Sequence, residues 1–75
     1  MAWCAIDPDT QGNGPWLAVG CERSAYHLCE QIPGMNYRKS DSIWRAPLSW
    51  PAWVALSVLW QGQELAVQPG LQAWA

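Results

Sequence analysis

Ile32-Pro33-Gly34-Met35-Asn36-Tyr37-Arg38-Lys39-Ser40-Asp41-Ser42-Ile43-Trp44-Arg45-Ala46-Pro47-Leu48-Ser49-Trp50-Pro51 is the stretch on which the fold turns. Pro33 cannot continue a helix and Gly34 permits the turn that follows, so a helix ends here. Met35 to Lys39 then reads as a strand and Ser40-Asp41-Ser42 as its turn. Ile43 to Leu48 is the return strand. Trp44, Ala46 and Leu48 share one face at period two; Ile43, Arg45 and Pro47 share the other. Pro47 places that end at a sheet edge or at the strand's exit. Ser49 is a good helix cap, with Pro51 in the first turn.

Working outward toward the N-terminus, Ser24 is positioned to cap the helix that Pro33-Gly34 ends. Ala25, Leu28, Cys29 and Ile32 give it an apolar stripe at i, i+3, i+4 and i+7. Ala2 to Ile6 suits a short strand. Residues 7–14, Asp-Pro-Asp-Thr-Gln-Gly-Asn-Gly, are dense in turn formers. Leu17 to Cys21 is a second strand, opened by Trp16 after Pro15. Toward the C-terminus, Trp53, Leu56 and Trp60 line one face of the second helix, with Val54, Val58 and Leu59 beside it. That helix is apolar nearly all round and is expected to be the most buried element. Gly62 ends it, Leu65 to Val67 suits a last short strand, and Leu71 to Ala75 suits one helical turn. The expectation is a single α+β domain over residues 1–75. It has a small antiparallel sheet of two hairpins with two helices packed on one face, in the order ββαββα with an extra C-terminal strand.

Seventy-five residues bury only about 60–65% of their unfolded surface, so stability is expected to be thin. Seven Trp offset that and, with Phe absent, share the aromatic packing with two Tyr. Each buried indole N–H then needs an acceptor. The net charge is −2 and 13% of residues are charged, a sparse count that suggests apolar surface hidden against a partner. A strong sequence-independent grip on nucleic acid is not expected from such a balance. The cations are Arg23, Arg38, Lys39 and Arg45, and the last three cluster in the hairpin. Cys4, Cys21 and Cys29 lack metal spacing, and no secretory leader is visible. They read as small core residues of a reducing, intracellular protein, with a disulfide as the alternative. The longest apolar run, Trp50 to Trp60, contains Ser57 and is too short to span a bilayer.

Catalytic groups are hard to assemble from these residues. His27 lies off the apolar stripe, and at i, i+2 it cannot face Cys29. Asp7 and Asp9 read as loop residues that form turns rather than a cation site. Gly12-Asn13-Gly14 has neither the phosphate-loop pattern nor its lysine. The reading is therefore non-enzymatic, with no cofactor, no metal and no small-molecule substrate. The candidate site is the hairpin. Tyr37, Arg38, Lys39 and Arg45 set cations beside aromatics, and cations hold phosphates while aromatics stack on unpaired bases. The competing reading makes Trp44 a core anchor and the cations ordinary solvated turn residues.

The segments 32–37 and 43–51 resemble the N-terminal accessory domain of Swi/Snf-type DEAD/DEAH-box helicases encoded by actinobacterial phages. More distantly, they resemble the HARP domain of annealing helicases. In that pattern a helix ends at Pro-Gly, and an aromatic strand and charged turn follow. A Trp strand ending in Pro-Leu then leads into a helix. Leu71 to Ala75 is similar to the junction that leads into the motor. This chain is more acidic than that pattern, and Asn36-Tyr37 stands where Arg-Trp would be expected. The resemblance implies a non-enzymatic accessory domain, without the ATPase motor, that binds single-stranded or branched DNA weakly or couples it to the motor. Arg38, Lys39 and Arg45 would contact phosphates and Tyr37 would stack, in the host cytoplasm if the protein is phage-encoded. The alternative is a protein–protein interaction module using an exposed Trp-rich patch, its motive being the surplus of Trp and the low charge.

Overall fold

The computed structural model describes residues 2–8 and 15–75. The strands are β1 (Ala2–Asp7), β2 (Trp16–Gly20), β3 (Asn36–Arg38), β4 (Ile43–Pro47) and β5 (Leu65–Val67). The helices are α1 (Tyr26–Cys29), α2 (Trp50–Leu59) and α3 (Pro69–Trp74), with a 3-10 turn at Arg23–Ala25 leading into α1. The strands form one sheet in the order β3-β4-β2-β1-β5. The expected hairpins, β1–β2 and β3–β4, are both present and antiparallel. They join through an antiparallel β2–β4 pairing with Leu17 opposite Ala46 and Val19 opposite Trp44. The C-terminal strand β5 pairs parallel to β1, so this α+β domain has a mixed sheet.

These pairings make β2 and β3 run in the same direction, and β4 and β5 likewise. Each of α1 and α2 is therefore a crossover between parallel strands, with other strands lying between its ends. Such crossovers are right-handed in nearly every known case. Here β2 and β4 point oppositely, and their crossovers travel toward opposite edges. The two reversals cancel, so one handedness sends both helices to the same face. The core lies there: Cys4, Leu17, Val19 and Trp44 from the sheet meet Cys29, Ile32, Ala52, Leu56, Trp60 and Leu71.

Local sequence explains the element ends. Ala52 N–H donates to Ser49 Oγ at 3.2 Å, the expected cap, with Pro51 in the first turn of α2. Gly34 and Gly62 both take positive φ, 75° and 83°, where a Cβ is costly. A Cβ on Gly34 would also stand 3.2 Å from Pro47 Cδ.

Three expectations need correction. The first helix was expected from Ser24 onward across Ala25 to Ile32; it is a 3-10 turn plus the four residues of α1, and Ser24 makes no capping bond. Ser24, Tyr26, His27 and Cys29 are all middling helix formers, so little local preference extends it. The stripe survives nonetheless: Cys29 and Ile32 are buried, with Ala25 and Leu28 packed beside them. Asp7 is the last residue of β1, paired with Trp16, and not part of a loop; Asp9 and Gly12-Asn13-Gly14 lie outside the described residues. Finally, α2 is not buried all round. Ala52 and Leu56 are its buried residues, while Trp50, Val54 and Val58 face water.

Trp3 lies across Gly20 on the helix-free face. An added Cβ at Gly20 would come within 2.3 Å of the Trp3 ring. Gly20→Ala is expected to destabilise by about 1–3 kcal/mol, the usual cost of overpacking. Trp3→Ala should remove most of that penalty. Urea unfolding of the two single variants and the double variant checks this; additive effects would show that the ring does not sit over Gly20.

Candidate functional site

The register sorts the hairpin residues onto two faces. Tyr37 stands opposite Trp44, on the core side, while Asn36 pairs with Arg45 and Arg38 with Ile43, on the bare side. Tyr37 belongs to a three-ring cluster, with centroids 5.4 Å from Tyr26 and 5.2 Å from Trp44; Tyr26 is also 5.4 Å from Trp44. Hydrogen bonds accepted from Ser42 and then from Tyr26 lower the Tyr37 pKa; the bond donated to Tyr37 raises that of Tyr26. Trp44 is 7% exposed, so it is a core anchor. Its buried indole N–H finds no acceptor among the described residues, nor does that of Trp16. A buried donor left so costs about 1–3 kcal/mol.

On the bare face, Trp16, Asn36, Tyr37, Arg38 and Arg45 line a shallow hollow of ≈ 280 Å³. The Arg45 guanidinium sits 4.3 Å from the centroid of the Trp16 ring, a cation–π stack. Asp7 Oδ2 lies 3.6 Å from Arg45 and 3.8 Å from Arg38. Asp7 and Arg38 stand on strands with two others between them, so the sheet must curl around this face for them to meet. Arg38 also forms a two-pronged fork with Asp41, its Nε donating to Oδ1 at 2.9 Å and its second prong reaching Oδ2. Lys39 is exposed in the turn that follows.

The structure therefore brings Arg38 and Arg45 together with Trp16, which the sequence reading did not include. It packs the Tyr37 ring against Tyr26 and Trp44, although Tyr37 also borders the hollow. It also gives both arginines carboxylate neighbours. The signal for Trp16 was available: it alternates with Leu17, so if Leu17 faces the core Trp16 cannot.

A second surface lies on the helical layer. Trp50, Val54 and Val58 recur at i, i+4 and i+8 along α2, 58%, 41% and 63% exposed. Trp74 of α3, 38% exposed, continues the stripe, its ring 5.9 Å from that of Trp50. No charged residue occurs between Arg45 and Glu64. The described residues contain no group of three or more His, Cys, Asp or Glu that could hold a metal ion. None of their helices is long and apolar enough to cross a membrane. No protein-family model, curated protein or solved structure matches this chain.

The fork fixes a pH response. The hydrogen bond from Arg38 holds the Asp41 carboxyl below its usual value of 3.8. A group lowered in the folded state contributes stability above its unfolded pKa, and that contribution is lost as pH falls through the folded value. The turn is therefore expected to loosen only below about pH 4. A carboxyl-detected NMR titration should show Asp41 titrating low and returning toward its ordinary value in Arg38→Ala; an unchanged Asp41 would remove the fork from the account.

Proposed function

We propose that this chain is a non-enzymatic interaction module that docks onto another folded protein through the Trp50–Val54–Val58–Trp74 surface. The observation that carries this is the exposure of four large apolar side chains in one stripe on α2 and α3, neither of which carries a charged residue. Contiguous apolar patches on monomeric proteins seldom exceed a few hundred Å² unless something covers them. Trp is also the residue most enriched at binding hot spots. With no charge to satisfy, the complementary partner surface is apolar and uncharged at its centre. The resemblance to helicase accessory domains supplies a candidate with such a role, a Swi/Snf-type motor domain.

A second reading, weak DNA binding at the bare face, is favoured by the meeting of Arg38, Arg45 and Trp16 around one hollow. Against it stands the Asp7 carboxylate between the two guanidinium groups. Phosphate would have to compete with a neighbour already in place.

Two titrations separate the readings. In the first, the fluorescently labelled chain is titrated with a phage Swi/Snf-type motor domain. Trp50→Ala with Val58→Glu should weaken the complex at least about tenfold, or about 1.4 kcal/mol. Melting should barely move, since both side chains are largely in water. Affinity unmoved by the pair would end the docking proposal, and sedimentation of the chain alone reports whether the stripe instead joins two copies. In the second, a labelled single-stranded oligonucleotide is added at low salt. DNA binding predicts that Asp7→Asn strengthens the complex and that Arg38→Ala with Lys39→Ala weakens it, with a steep loss as salt rises. Absence of binding at low salt would rule that reading out.

A further inference from the structure

Cys21 and Cys29 are distant in role but adjacent in space. Cys21 follows β2, Cys29 closes α1, and their Sγ atoms are 3.5 Å apart. A disulfide bond is about 2.05 Å long, so an approach of roughly 1.5 Å would join them. The two sulfurs differ in access. Cys29 is fully buried, whereas Cys21 is half-buried and lines a cleft of ≈ 170 Å³ with Glu22, Ala25, Trp60 and Glu64. Cys4, the third cysteine, is fully buried, and burial pushes its thiol up to about 11.

We propose that Cys21 and Cys29 form an oxidation site, in which a small neutral hydroperoxide reacts at Cys21 and Cys29 resolves the product to an intramolecular disulfide. In the first step the Cys21 thiolate attacks one peroxide oxygen and the O–O bond breaks. Cys21 becomes a sulfenic acid, and hydrogen peroxide leaves as one water once the thiol proton is counted. In the second step Cys29 sulfur attacks Cys21 sulfur, the S–O bond breaks, and a second water leaves with the Cys29 proton. Overall two thiols lose two electrons and two protons, and one peroxide is reduced to two waters. The order follows from access: the half-buried thiol that lines the cleft meets the oxidant and the fully buried one waits beside it. The cleft favours a neutral oxidant, because the Glu22 and Glu64 carboxylates that line it repel anionic disulfides such as that of glutathione. Burial, then the Glu22 charge, raises the Cys21 thiol, opposed by its hydrogen bond with Cys29. The bond would tie α1 to the end of β2 by closing the segment from Glu22 to Leu28.

The test uses the wild-type chain with hydrogen peroxide in mildly alkaline buffer, followed by quenching, denaturation and alkylation. The expected product is a monomer that has lost two hydrogens and keeps one alkylatable thiol, Cys4, where the reduced chain has three. Trypsin cuts after Arg23 and Arg38, so peptides 1–23 and 24–38 should appear joined and separate on reduction. The link should persist in Cys4→Ser and vanish in Cys21→Ser. Three alkylatable thiols after treatment would overturn the proposal. So would oxygen added at Cys21 without a link, a link through Cys4, or a link between two chains.

Discussion

The pairing of β2 with β4 is the contact on which the rest of this structure depends. It is the only one of the sheet's four pairings that joins the two hairpins, and its register sets which side chains meet the helices. Val19 beside Trp44 and Leu17 beside Ala46 put these four on the helix side, and leave Trp16 and Ile43 on the other with Arg45. A slip of one residue would turn Trp44 to water and drive Arg45 into the core, where an unpaired guanidinium is prohibitively costly. The same pairing fixes β2 and β4 as opposed central strands. From that opposition follow two crossovers on one face, and therefore one covered and one bare side of the sheet.

The bare side is closed by its own long side chains rather than by another layer. Trp3 covers Gly20, and Arg45 lies on Trp16 with Asp7 at its edge. Ala18, beside Arg45 in the register, is only 5% exposed although no helix covers it. This arrangement changes the meaning of the basic cluster. Read along the chain, Arg38, Lys39 and Arg45 are three cations near two aromatics. In space, Asp7 is drawn in from a strand on the far side of β2 and Asp41 from the adjoining turn. Such partly exposed pairs set the local potential that an incoming phosphate would feel.

What was legible in the sequence was local. The Ser49 cap and the Trp44–Ala46 alternation each act within a few residues and are found where the residues place them; Pro33-Gly34 makes its turn, with Gly34 at positive φ, although α1 has already ended at Cys29. The α+β architecture with its short fifth strand follows from such signals in series. What was not legible depended on strands far apart in the chain. Asp7 looks like a turn former because Pro8 follows it, and nothing local says that β1 will lie within reach of Arg38. Cys21 and Cys29 are eight apart with no motif between them; they meet because the chain turns back at once after β2. The shortness of α1 joins weak local preference to a demand of the topology, since its segment must both turn off β2 and reach β3 beyond β4.

The second helix is the instructive failure. An all-round apolar helix implies burial on all sides, but that inference presumes a layer outside it. The described residues build a five-stranded sheet and one helical layer, with no layer outside α2. Once Ala52, Leu56 and Trp60 face the sheet, Trp50, Val54 and Val58 must face outward whatever their character. At those positions Lys, Glu or Gln would serve the helix as well or better by propensity, and would keep the surface wet. The fold itself thus gives no reason for Trp and two Val there. That surplus of apolar surface, unexplained by anything inside the domain, is the physical basis for looking outside it for a partner.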